Sequence, residues 1–139
     1  MSNVWDEVPD WGGVGALRLD RNTILGASVW ELQPNGVNWN HFHHASEELV
    51  IVLRGRPTIR TPEGERTLAE GDVVTFARGP SGAKEIRNET EDVVRIVIVS
   101  TNADPDVAEY PDSGKVGIWI GERGRFFRGG DAVEHAGPD

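Results

Sequence analysis

Glycine and proline punctuate this chain so closely that no long helix has room to form. Seventeen glycines and eight prolines fall among its 139 residues. Between them lie short β-branched runs: Thr23–Leu25, Leu49–Leu53, Asp72–Phe76 and Val93–Val99. Short strands divided by turn residues about every ten positions are the signature of an all-β sandwich or barrel. The turns can be named. Arg54-Gly55-Arg56-Pro57, Thr61-Pro62-Glu63-Gly64, Ala69-Glu70-Gly71-Asp72 and Arg78-Gly79-Pro80-Ser81-Gly82 each carry Gly where φ can be positive, or Pro where φ is preset. No amphipathic 3.6-residue pattern of useful length competes, so helix content is expected to be low.

Alternation orients the strands. In residues 93–99, Val94, Ile96 and Ile98 form one wholly apolar face, and Arg95 interrupts the other. A strand apolar on nearly both faces needs a cover on its outer side, and a second subunit is expected to supply it. Val50, Val52, Val74, Phe76, Ile96 and Ile98 are the expected core. Residues 1–139 read as one domain with its barrel core at about 24–100. Residues 1–23 read as an N-terminal arm. Residues 101–139 read as a C-terminal arm that ends in a frayed tail from Asp131.

Charge narrows the function classes. Fourteen Lys and Arg against 23 Asp and Glu leave a net charge of −9. Such a field repels nucleic-acid backbones and anionic lipid. The longest wholly apolar run, Leu49–Leu53, is far short of the ~20 residues of a membrane span. The N-terminus shows no basic and apolar signal-peptide pattern, and no cysteine is present to form a disulfide, thiolate site or nucleophile. A soluble, cytoplasmic protein with no nucleic-acid or membrane partner is expected.

The chemistry concentrates in Gly36–Gly55. Three of four histidines, His41, His43 and His44, fall within four positions, just ahead of Glu47 and Glu48. His41 and His43 lie two apart and share one face of a strand. With a carboxylate from the next turn, three N/O donors can converge on one divalent cation. The same residues also suit a solvated strand end.

This segment resembles the first motif of the cupin superfamily: a glycine, His-x-His, a short spacer, Glu, six residues and Gly. His41, His43, Glu48 and Gly55 match it. The second motif resembles Gly71-Asp72-Val73-Val74-Thr75-Phe76, Arg78-Gly79 and an interval leading to Asn88. The likeness spans roughly residues 24–100, and Glu109–Val116 is similar to a tail of small cupins. The resemblance implies a jelly-roll (double-stranded β-helix) antiparallel barrel, a small-molecule ligand, a homodimer, and a divalent metal (Mn, Fe, Ni or Zn) held by His41, His43 and Glu48. Glu47 is the runner-up, since it and not Glu48 shares the histidines' parity on a regular strand. Where the second motif offers a third His, four before its Asn, this chain has Lys84, and Ala77 stands in place of a proline. A lysine ligand must first lose its proton.

Two functions follow from the resemblance. One is a metal site serving enzyme chemistry of the oxygenase or isomerase type, with Lys84 a candidate catalytic or anchoring group. The other is a metal-free binding or sensing protein in which the Lys84 ammonium takes the metal's position. Elsewhere, His44 reads as a rim residue, His135 as a solvated tail residue, and Lys115 and Asp112 as part of a turn. Trp39 is expected at the cavity mouth, with Trp5, Trp11 and Trp119 in arms across an interface. Arg123, Arg125 and Arg128 are expected to pair with the chain's own carboxylates.

Overall fold

A computed structural model describes residues 1–134. His135, expected in a solvated tail, lies outside the described residues. Twelve strands follow in chain order: β1 (Val14–Arg21), β2 (Gly26–Leu32), β3 (Val37–His43), β4 (Glu48–Arg54), β5 (Thr58–Thr61), β6 (Gly64–Thr67), β7 (Val73–Phe76), β8 (Lys84–Arg87), β9 (Val94–Ser100), β10 (Asp106–Tyr110), β11 (Lys115–Ile120) and β12 (Arg123–Arg128). Two 3-10 turns complete the described elements, and all pairings are antiparallel. One sheet runs β1-β2-β9-β4-β7, the other β12-β11-β10-β3-β8-β5-β6. The all-β jelly-roll architecture stands.

The inner faces divide into two zones. Leu32, Val50, Val52, Ile59, Ile86, Val94, Ile96 and Ile98 form the dry zone with Leu68 and Phe76. Each such Leu, Ile or Val gains about 1.5–3 kcal/mol from burial. Val74 is only partly buried, because β7 is the edge of its sheet. Beyond this zone, the same strands carry polar residues inward. Gly55 closes β4 with φ 83°, and a Cβ there would come within 3.0 Å of the Val93 carbonyl oxygen.

Several boundaries differ from the sequence reading. Both outer segments supply strands: β1 pairs with β2, and β10 joins β3 to the β11–β12 hairpin. Thr23–Leu25, expected as a strand, is the β1–β2 turn. There the Asn22 side-chain oxygen accepts the N–H of Ile24 and of Leu25, and that local bonding overrides β-propensity.

β9 is central rather than an edge strand, lying between β2 and β4. Its outer face is covered from within the chain. The buried Arg95 guanidinium pairs with Glu31 and donates to the Val4 and Asp6 carbonyls, while Trp5 lies over Arg54 and Arg95 at 5.5 and 5.6 Å. The N-terminal segment therefore does the work assigned to a second subunit. Trp11 packs edge-on against Trp30, and Trp119 turns inward. Trp11 nevertheless stays 63% exposed. Among the described residues, Arg123, Arg125 and Arg128 make no ion pair, because β12 is an exposed edge strand. No described helix is long and apolar enough to cross a membrane.

Candidate metal centre and its cavity

A bulge in β3 builds the site. The β3–β8 register runs Asn38↔Ile86 and then His41↔Lys84, so β3 holds one residue more than its partner. Asn38 and His41 thereby both face the cavity despite opposite parity. Trp39, expected at the mouth, is turned out and 65% exposed.

His41, His43 and Glu48 each offer a ligand atom within 4.8 Å of the others. Glu48 opens β4, next to the turn that follows the histidines, and its carboxylate is largely buried. Glu47 points away, exposed, 3.9 Å from Arg78, with its N–H on the Thr101 hydroxyl. The turn at 44–47 resets parity and brings Glu48 inward. His44 is exposed and 3.1 Å from Glu109.

Both imidazoles are oriented through Nδ1. His41 Nδ1 lies 2.7 Å from the Trp39 carbonyl, which can only accept, so Nδ1 carries the proton and Nε2 keeps its lone pair. His43 Nδ1 lies 2.8 Å from Asp106 Oδ2, and its Nε2 lies 3.2 Å from Glu48 Oε1. Asp106 is itself fixed, its Oδ1 accepting the Ala45 and Val107 N–H groups. A carboxylate or carbonyl behind each imidazole is the outer-shell arrangement of metal-ligating histidines.

Lys84 stands across from His41, 2% exposed, with its ammonium against Glu48 Oε2 and 5.3 Å from the Phe76 ring centre. The contact is an ion pair without an aligned hydrogen bond, and among the described residues Oε2 has no hydrogen-bond partner. The charges act on one another. Burial, then the Lys84 charge, pushes His41 down to about 4. Burial also opposes charge on His43, but its bonds to Asp106 and Glu48 prevail and raise it to about 9. Burial alone would raise Glu48; the bond from His43 and the Lys84 charge outweigh it and hold the carboxyl well below its usual range.

The cavity above these groups has a volume of about 490 Å³ and includes His41, His43, Glu48, Asp106, Tyr110 and Trp119 in its wall. Tyr110 stacks on His41 at 5.3 Å, and burial, then Glu48, raises its phenol pKa. Trp119 lies 6.2 Å from His43. It fits because Gly117 and Gly124 leave it space: a Cβ there would approach the indole to 2.6 and 2.7 Å.

Asp106, Tyr110 and Trp119 were read only as arm residues. Pro105, Pro111 and the acidic composition mask the strand, although Asp106, Ala108 and Tyr110 alternate as one face. Lys115 and Asp112 flank the β10–β11 turn, as expected, and Asp112 binds Arg60 and Asn40.

Residues 28–100 match the family described as Cupin domain. No curated relative matches the chain. Among solved structures, a sugar phosphate isomerase from Silicibacter pomeroyi, described as of a cupin superfamily, is 23% identical. The match covers 89% of this chain and 82% of that one with a TM-score of 0.79. A protein from Acidithiobacillus ferrooxidans, provisionally described as a sugar phosphate isomerase, is 22% identical over 86% and 81% at 0.71. The polyketide cyclase RemF from Streptomyces resistomycificus is 19% identical over 63% and 64% at 0.58. At these identities the likeness is one of fold.

Proposed function

The chain belongs to the cupin family, and from that premise we propose that it binds a small molecule at a divalent-metal centre held by His41, His43 and Glu48. The observation that carries this reading is the pinning of both imidazoles through Nδ1, with His43 Nε2 3.2 Å from Glu48 and the ligand atoms of all three residues within 4.8 Å of one another. The donor set suits Mn, Fe, Ni or Zn. When bound, such a cation supplies Lewis-acid polarisation of a ligand oxygen.

The chain's own residues prepare that centre. Asp106 holds the His43 ring and accepts its Nδ1 proton, while His41 stays neutral near pH 7 and offers Nε2. Tyr110 keeps its phenolic proton beside His41, which suits it to donate to a ligand oxygen. Trp119 walls the cavity and limits water. These roles suit an isomerase or oxygenase, and the two sugar phosphate isomerase neighbours favour the former as the class to assay first.

A second reading rests on Lys84. Its buried ammonium, a group with three donors, pairs with the Glu48 carboxylate, which suits a metal-free binding protein. Elemental analysis of protein purified without chelator or nickel resin separates the two. About one equivalent of Mn, Fe, Ni or Zn supports the metal centre, and none supports the second reading.

A homodimer in the cytoplasm belongs to the same proposal. It rests on the exposed Ile120, Phe126 and Phe127 at the β12 edge in place of β9. A monomer by light scattering at micromolar concentration contradicts it.

A further inference from the structure

The cavity mouth holds a second charged cluster that the metal centre does not use. Arg18 and Arg21, from β1, converge on one carboxylate oxygen of Glu122 in the β11–β12 turn, at 3.1 and 3.8 Å. All three residues line the cavity. The pair therefore bridges the edge of one sheet to the hairpin of the other, across the entrance.

The balance of engaged and unengaged groups shows what this entrance attracts. Every other carboxylate in the cavity wall already has a donor. Glu48 takes His43 and Lys84, and Asp106 takes His43 and two backbone N–H groups. Asp104 accepts the Gly121 N–H, and Asp20 the Arg21 N–H. Each guanidinium offers five N–H donors. Among the described residues, Glu122 is the partner recorded for these two side chains. The unengaged N–H donors thus lie at the mouth, beside the Asp20 and Asp104 carboxylates, which accept backbone N–H groups and keep their charge. Glu122 is 76% exposed there, so solvent screens its pairs and they compete weakly with an incoming anion.

We propose that Arg18 and Arg21 form an oxyanion clamp for the phosphate or carboxylate group of the ligand, with Glu122 the internal group that this anion displaces. Two guanidiniums offer planar, bidentate geometry to such oxygens. A dianionic phosphate gains more from the paired charge than a monoanionic carboxylate. A cavity of about 490 Å³ is in the usual range for one small ligand. The ligand class is then a small polar molecule with an anionic end at the mouth. Its oxygen-bearing end reaches His41, His43 and Glu48, a half of the inference that rests on the function proposed above.

The test is calorimetric titration at low ionic strength of protein stripped of metal and dialysed free of chelator. The probes are inorganic phosphate, acetate and glycerol. The proteins are wild type, the double variant Arg18→Gln/Arg21→Gln, and Glu122→Gln, each checked for fold by circular dichroism. Phosphate should bind wild type, lose at least tenfold in affinity in the double variant, and gain at least threefold in Glu122→Gln. Acetate should follow the same order more weakly; acetate tighter than phosphate keeps the clamp and makes a carboxylate its ligand. Glycerol should not distinguish the three proteins. Equal phosphate affinity in wild type and double variant overturns the clamp, as does an absence of binding in all three. Because the protein is metal-free, these results stand apart from success or failure of the metal centre.

Discussion

The Lys84 ammonium lies buried against Glu48, the carboxylate that also faces His43. With Asp106 behind His43, the four side chains alternate in charge through the site: Asp106, His43, Glu48, Lys84. His41 stands beside this series as its neutral member. Each charge is stabilised by its neighbours, so removing one exposes the next to an uncompensated burial cost.

The series predicts a stability optimum near pH 6.5 in metal-free protein. His41 has a folded pKa of about 4, below its ordinary 6.5, so between these values the unfolded chain binds more protons and stability rises with pH. His43 has a folded pKa of about 9. Its contribution is present in full below 6.5 and is lost as pH rises through 9, on the order of 3 kcal/mol in all. Glu48 adds stability present above 4.5 that is lost under acid conditions. Urea denaturation across pH 4 to 10 checks this, and stability that climbs steadily from 6.5 to 9 contradicts it.

Asp106→Asn tests the support behind His43. The variant keeps an oxygen for the Ala45 and Val107 N–H groups but removes the charge facing Nδ1. The pKa of His43, followed by NMR titration, should fall by more than one unit. Zinc affinity should drop about ten- to a hundredfold, the usual cost of losing an outer-shell carboxylate. An unchanged His43 titration would remove Asp106 from the account.

Arg95→Ala tests the strap over β9. The substitution leaves Glu31 and the Val4 and Asp6 carbonyls without their shared donor. Broken pairs of this buried kind cost about 3 kcal/mol. The denaturation midpoint should fall accordingly. A change under 1 kcal/mol would mean that the N-terminal segment is held by other contacts.

What was legible in the sequence follows physical range. His41, His43 and Glu48 lie within eight positions, so spacing and motif count bring them together without tertiary knowledge. Lys84 was found only by counting back from Asn88. That asparagine is a structural anchor, bonding the Leu32 and Asp92 carbonyls and Thr90. Trp39 was misplaced because parity assumes a regular strand, and the β3 bulge depends on pairing with β8. Asp106 and Tyr110 come from 63 and 69 residues beyond His43 and His41, and a reading of local composition does not connect them. The covering of β9 failed for the same reason, since Arg95 meets Val4 and Asp6 only after the sheet has closed.

The most direct test of the metal centre is titration calorimetry of Zn²⁺ or Mn²⁺ into metal-free wild type, Lys84→His and Glu48→Gln at pH 6.5 and 8. Binding requires a neutral His43, and the Lys84 ammonium repels a divalent cation by about 8 kcal/mol at ~4 Å and an effective dielectric of 20. Wild type should therefore bind measurably and more tightly at pH 8. Lys84→His, which removes that charge and adds a ligand, should bind at least tenfold tighter, and Glu48→Gln at least tenfold more weakly. Wild-type affinity that equals that of Lys84→His at both pH values would contradict the account, as would no binding to any of the three proteins.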